Sequence, residues 1–389
     1  MSKFLKLFTN RAFVTVIWFG LSLFAVIKQA LHHHINNYLI YKYTFTNLIH
    51  QVNLYTPQPQ FYEDSNHYGP LFALVIAPFT LFPDLLGCIL WVMVNALVLH
   101  KAILMLPVSP WQKSAVLIIC AHELMTASFN VQFNPIMAAL IILSFIFIKR
   151  KQDIWAALVI VVGTYIKLYG VVGLAFFFFS EQKWHFIKWL IIWGLVMLVL
   201  PMLFSSPEFV LQSYYDWYAS LADKNAHNAV SLMQDISVMG IVRRVFSYPQ
   251  LSNFVVLVPA MLVFASSYFN FRSYSKTPYQ LLILSSTLIF TVIFSTGSES
   301  PTYIIAFVGV AIWFVNLPQP VTNLNVALLV FALLITSLSP SDLFPKFINQ
   351  QYIKPYALKA LPCFLIWLKI VYESLTRKFN QEPSYEVAR

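Results

Sequence analysis

Few side chains in this 389-residue chain can move a proton or hold an anion, because only 10% of its residues are charged. Those lying inside or beside apolar runs carry the most information. Glu123 stands in the apolar run 114–131, next to His122. Asn130, Gln132 and Asn134 follow, and their spacing by two predicts an irregular turn instead of one helical face. Lys167 interrupts the apolar run 153–179 within GTYIKLYG, and Glu299 sits between two apolar runs in Ser298-Glu299-Ser300-Pro301. A charge near a bilayer centre costs about 2.5–3.5 kcal/mol on insertion scales, so each needs a reason to be there. A lysine at the tip of a bent helical pair can receive a phosphate or diphosphate as a point charge. A carboxylate at an outward turn can bind a sugar hydroxyl or accept a proton. Plainer readings stand beside these. Glu123 can hydrogen-bond between helices. Lys167 can pair with Glu123 or with an acid of an outer loop. The serine turn can cap a helix that has Pro301 in its first turn.

Other constellations point to no chemistry. His32, His33 and His34 cannot all face one metal, because neighbours on a helix or strand point in different directions, and no Cys/His spacing elsewhere supports a site. Cys88, Cys120 and Cys363 lie in apolar runs and read as small buried hydrophobes. There is no glycine-rich phosphate loop, nucleophile elbow or HExxH pattern. Neither a metal nor a cofactor is expected.

The elements that must position these residues are membrane helices. The chain is 59% apolar and 17% aromatic, more apolar surface than a soluble core of this size could hide. Its net charge of +10 sits in short clusters beside apolar runs, as the positive-inside rule predicts, which excludes a nucleic-acid reading. Spans are expected at 12–31, 86–106, 114–131, 134–149, 184–204, 253–271, 279–296, 301–316, 324–338 and 356–373. The run 70–83 holds Pro70, Pro78 and Pro83 and is too short to cross, so it reads as interfacial or re-entrant. Lys149, Arg150 and Lys151 precede the run 153–179, and Lys183 and Lys188 follow it. Two half-helices that enter and return keep both clusters on one side; a single span does not. The resulting fold is an all-α membrane bundle of about ten transmembrane helices. It forms a single polytopic domain over 1–378, with outer loops at 32–69 and 205–252. Lys3, Lys6 and Arg11 mark a cytoplasmic start, and 379–389 is a polar cytoplasmic tail.

In order and spacing these features resemble glycosyltransferase family 87, membrane proteins of the GT-C fold. Asn37-Tyr38-Leu39-Ile40-Tyr41 stands where that family often reads Asp-Phe-x-x-Tyr. Asn53-Leu54-Tyr55 resembles its Gly-x-x-Leu-Tyr segment. Tyr68-Gly69-Pro70-Leu71-Phe72, with Ala77, Pro78 and Pro83, resembles its Tyr-x-Pro-Pro-Leu run, which ends in a short non-spanning helix. Asn130-x-Gln132-x-Asn134 resembles Gly-Gln-x-Asn, and Ile166-Lys167 resembles Ile-Lys-Pro.

The resemblance implies a mannosyltransferase-like enzyme of cell-envelope assembly, in a bacterial plasma membrane. It would use a polyprenyl-phosphate sugar donor and a lipid or glycan acceptor at the outer face. Lys167, with Arg243 or Arg244, would hold the donor phosphate. Asn36, Tyr41, Tyr68, Asn130, Gln132 and Asn134 would line the substrate site. The family's first-loop aspartate, its expected general base, is Asn37 here, and an amide cannot take a proton. Asp64, Glu123 and Glu299 are the carboxylates that can replace it, with Asp64 first because it shares the loop. A transporter or flippase also suits broken helices and intramembrane charge, but would show a polar path to both leaflets and usually an internal repeat. A catalytically silent relative is the third reading, kept open by Asn37.

Overall fold

The computed structural model describes residues 10–228, 231 and 233–379, and is all-helical across them. Lys3, Lys6 and the polar tail from residue 380 lie outside the described residues. The main helices are α1 Arg11–Leu31, α2 Asn36–His50, α3 Phe72–Thr80, α4 Asp84–Leu104, α5 Pro110–Phe129, α6 Asn134–Lys149, α7 Asp153–Ile166 and α8 Lys183–Val199. They continue as α9 Pro207–Asn228, α10 Val238–Val245, α11 Asn253–Ser266, α12 Thr277–Ile293, α13 Tyr303–Val315, α14 Asn323–Phe331 and α15 Leu361–Thr376.

Among the described residues three helical stretches are long and apolar enough to cross a membrane: Arg11–Leu31, Asp84–Leu104 and Lys183–Leu203. Seven shorter apolar helices join them, among them Asn134–Lys149, Asn253–Phe269, Thr277–Ile293, Ser300–Val315 and Asn323–Leu338. The helices at the expected spans 114–131 and 356–373 form, as α5 and α15, but neither belongs to these apolar groups: α5 carries Gln112, Lys113, His122 and Glu123, and α15 carries Lys369 and Glu373. α3 has nine residues with Pro78 inside it. At about 1.5 Å per residue it falls well short of the bilayer core.

The chain divides into two compact units. One comprises 19–102 and 125–224. Here both long polar segments, 32–69 and 205–252, contain helices that their polarity concealed. α2 reads NNYLIYKYTFTNLIH, and it buries Tyr38, Ile40, Tyr41, Thr44, Asn47 and Leu48, a helical repeat in which Tyr, Thr and Asn outnumber the aliphatic residues. α9 starts with Pro207 and Glu208, both favoured at a helix N-terminus. Its Val210 and Trp217 pack with Leu48, Leu54, Tyr55 and Ala73, so α9, the segment 48–55 and α3 share one small core.

The same unit holds the bent pair. α7 stops at Lys167, whose backbone is extended (φ −148°, ψ 117°), and a 3-10 helix over Leu168–Phe179 runs back beside it. The register is fixed at three levels. Gly170 packs on the backbone of Gly163 and Thr164, closely enough that a Cβ there would collide. Gly173 packs on Ile160, and Ser180 Oγ donates to Asp153 at 3.3 Å. Glycine is needed at 170 for this approach. The expected half-helices are therefore present, with Lys167 at their tip.

The other unit comprises 1–18, 103–124 and 225–389. α12 and α13 are buried along almost their whole lengths, and α15 packs against both. The segment 233–237 is tied to the turn after α12 by backbone bonds from Asp235 N–H to Thr296 (3.1 Å) and from Ile236 N–H to Ser298 (2.9 Å).

Candidate functional site

Most of the residues singled out above fall in the unit that carries the bent pair. Lys167 Nζ donates to Asn134 Oδ1 at 2.8 Å and lies 4.8 Å from the centre of the Tyr169 ring and 5.8 Å from that of Tyr68. Asn134 Nδ2 in turn reaches Gln132 Oε1 at 3.4 Å. The turn between α5 and α6 is irregular, as the spacing by two predicts: Val131 has a positive φ of 50°. At the start of α2, Asn37 Nδ2 donates to the Asn130 carbonyl oxygen at 2.8 Å. Asn36 brackets Glu63, donating to its carbonyl (2.8 Å) and accepting from its N–H (2.7 Å). The Tyr41 and Tyr68 hydroxyls are 3.2 Å apart. Lys167, Asn134, Gln132, Tyr68 and Tyr41 are thus linked through direct contacts, Asn37 meets Asn130 beside them, and Asn36 is tied to Glu63 instead.

The segment 64–69 is the hub. Gly69 N–H donates to the Ile166 carbonyl at 3.0 Å, which ties the segment to the residue before Lys167. Tyr55 OH and Trp217 Nε1 donate to the carbonyls of Tyr68 (3.1 Å) and His67 (3.0 Å). Asp64 sits in a left-handed backbone conformation (φ 71°), which aspartate tolerates better than most residues. Its side chain is 64% exposed; Oδ1 is 4.0 Å from His67 Nε2 and Oδ2 is 3.9 Å from Lys224 Nζ. Burial and the Lys224 charge push His67 down to about 4, against a weaker opposing pull from Asp64 and Asp223, with Lys167 adding to the depression. His67 is therefore neutral at physiological pH, with Nδ1 2.8 Å from Ser220 Oγ.

The remaining residues lie in the other unit and are committed to protein partners. Glu123 is fully buried and pairs with Lys359 at 3.2 Å; Lys359 Nζ also donates to Ser300 Oγ at 3.0 Å and lies 5.0 Å from the Tyr303 ring centre. Arg243 forms a buried ion pair with Asp235 at 2.5 Å, and also bonds the Leu251 carbonyl and Asn253 Oδ1. Arg244 donates to the carbonyls of Ser231, Gln234 and Lys354. Glu299 precedes a short 3-10 turn, Ser300–Thr302, and its N–H donates to Thr302 Oγ1 at 3.2 Å, a capping arrangement with Pro301 in the first turn.

Sequence reasoning missed His67, Lys224 and Lys359 as partners of these carboxylates. Asp64-x-x-His67 was a usable local signal; the two lysines are distant in sequence from the acids they face.

A helical chain this apolar, with three helices long enough to cross a bilayer, is an integral membrane protein. It belongs to glycosyltransferase family 87: the family's profile matches residues 66–296, more than half of the chain. Membership makes it a glycosyltransferase with a sugar donor and an acceptor as substrates. No curated protein matches the chain. The matched span contains Lys167, Asn130, Gln132, Asn134, Glu123, Arg243 and Arg244, whereas Asn36, Asn37, Tyr41, Asp64 and Glu299 lie outside it.

Proposed function

We propose that this glycosyltransferase moves a hexose, mannose-like, from a polyprenyl-phosphate donor to a lipid or glycan acceptor at the outer face of a bacterial plasma membrane. The protein is a GT-C-like bundle of about ten transmembrane helices in a single polytopic domain, with both termini cytoplasmic. The donor enters laterally from the outer leaflet, and its phosphate rests on Lys167. Asp64 accepts the proton of the acceptor hydroxyl as that oxygen attacks the anomeric carbon. The bond from anomeric carbon to phosphate oxygen breaks with its electron pair on the lipid phosphate, and configuration inverts. Pairing the leaving phosphate with a cation stabilises charge that grows as the bond breaks.

The observation carrying this reading is the ammonium group displayed at the tip of a broken helix, next to Asn134 and two tyrosine rings, in the same unit as an exposed carboxylate. Glu123 is less suited to the base role because Lys359 holds it out of solvent. Arg243 and Arg244 serve the segment that carries them, since they give donors to Asp235 and backbone carbonyls.

The test is sugar transfer by purified protein from a polyprenyl-phosphate hexose. Wild type is expected to transfer, Asp64→Ala to lose about 10²–10⁴-fold, and Lys167→Ala to lose donor affinity and rate together. Full activity in both variants would sink the residue assignment. Loss in Glu299→Ala with Asp64→Ala unaffected would move the base to Glu299. Uptake of substrate into proteoliposomes without covalent change would replace the transferase reading with a transporter.

A further inference from the structure

This inference rests on the donor reading above and adds a residue to it. Three side chains of α9 face the segment 64–69. Trp217, Ser220 and Lys224 are spaced i, i+3 and i+7 and so share one face of the helix. Trp217 and Ser220 form hydrogen bonds with His67, at 3.0 and 2.8 Å. Lys224 does not complete the pattern. Its Nζ stops 3.9 Å from Asp64 Oδ2, beyond the roughly 2.7–2.9 Å of a charged N–H···O bond. The Lys224 side chain is only 24% exposed, so its course is set by packing while its charge meets a carboxylate across a gap. Asp64 is held instead by its own loop, with Oδ1 accepting the Ser65 N–H at 2.8 Å. A loose, partly exposed pair of this kind contributes little to stability.

The opposite end of the segment meets the other lysine. Gly69 is bonded to Ile166, the neighbour of Lys167, and Lys167 Nζ lies 5.8 Å from the Tyr68 ring centre. Lys224 at Asp64 and Lys167 at Tyr68 therefore flank one short, well-tethered segment. The chemistry of the donor makes use of two cations. A sugar phosphodiester carries one negative charge; the lipid phosphate released from it carries nearly two. A second ammonium thus interacts more strongly after the anomeric bond breaks than before, which is the condition for accelerating a reaction and not merely tightening binding.

We propose that Lys224 is a second ligand for the donor phosphate, and that Asp64 occupies the place of a phosphate oxygen while the site is empty. When the donor binds, a phosphate oxygen takes Lys224, and the Asp64 carboxylate is left to accept the proton of the acceptor hydroxyl. The donor would thereby switch on its own base.

The experiment measures binding of a short-chain polyprenyl phosphate, without sugar, to the purified full-length protein in detergent. Lys224→Met is expected to weaken binding about tenfold or more, in line with loss of one charged hydrogen bond. Lys224→Arg keeps binding within about threefold, since the charge remains. Asp64→Asn binds several-fold tighter than wild type, because the competing carboxylate is gone; a merely structural Asp64–Lys224 pair would not produce that gain. Melting temperatures accompany each variant, and Lys224→Gln replaces Lys224→Met if the latter unfolds. Wild-type affinity in Lys224→Met, or weakened binding in Asp64→Asn, would overturn the proposal and leave the donor reading standing. No binding by wild type would remove both.

Discussion

In the unit containing 225–389, Glu123 and Lys359 meet at 3.2 Å with both side chains out of solvent, and Asp235 and Arg243 do the same at 2.5 Å. In the other unit Asp64 keeps 64% of its side chain exposed, and neither Lys224 nor His67 comes within hydrogen-bond reach of it. Lys167 there donates to the Asn134 amide oxygen at 2.8 Å and stands against two aromatic rings. Burying a charge is costly unless it is paired and hydrogen-bonded. Each buried acid in the first unit has a protein cation as its partner, so these two pairs hold helices and loops together. In the other unit Asp64 and Lys224 stay loosely engaged with each other at 3.9 Å, with Asp64 near solvent, where a phosphate or hydroxyl can compete for them. Charge in the membrane is thus insufficient to mark a site; how completely the protein satisfies that charge separates structure from chemistry.

Removing half of a buried pair should give the largest effect. Glu123→Gln or Lys359→Met alone is expected to cost about 3–5 kcal/mol, whereas Glu123→Leu combined with Lys359→Met costs much less. Thermal melting in detergent checks this. If the single variants instead kept their stability and lost transfer, the contrast between the units would collapse and Glu123 would return to the site. A smaller effect is expected at the bend. Gly170→Ala pushes a Cβ into the backbone of Gly163 and Thr164, for about 1–3 kcal/mol as in other overpacked sites. Transfer activity should fall more than the melting temperature suggests, because the displaced element is the one presenting Lys167. Equal activity in Gly170→Ala and wild type would show that the tip need not be held rigidly.

The smallest effect concerns His67. Its folded value of about 4 lies below the ordinary 6.5, so the unfolded chain takes up this proton first as pH falls. The stabilising contribution is complete above pH 6.5 and is lost on acidification through the range down to about 4. Between pH 7.5 and 5.5 that amounts to about 1 kcal/mol. The melting temperature of wild type should therefore fall more steeply over this interval than that of His67→Gln. Parallel curves would mean that the segment 64–69 opens before the molecule unfolds.

The bend at Lys167 was legible in sequence because two glycines and two basic clusters constrained it jointly. The short α3 was legible from its length and prolines. α2 and α9 were not, because their buried faces use Tyr, Thr, Asn and Ser, which no hydropathy pattern separates from a polar loop. Partnership was the harder problem. Glu123 invites a search for a cation, and Lys167 was an available choice, but the ion pair goes to Lys359, 236 residues away. Asp64 stands out by its loop and its charge, and His67 three residues on is a local signal; that Lys224 faces it depends on α9 packing back onto that loop, a long-range fact with no local signature.

Asn37 gives its amide N–H to the carbonyl oxygen of Asn130. An aspartate in that seat would set one acceptor against another, and repulsion would either turn the carboxylate away or keep it protonated. The asparagine is therefore more than an acid with its charge removed: it is a latch that closes α2 onto the turn between α5 and α6. The acceptor is a main-chain carbonyl that any residue at 130 would present, so an acid at 37 would lose this latch whatever side chain stood opposite.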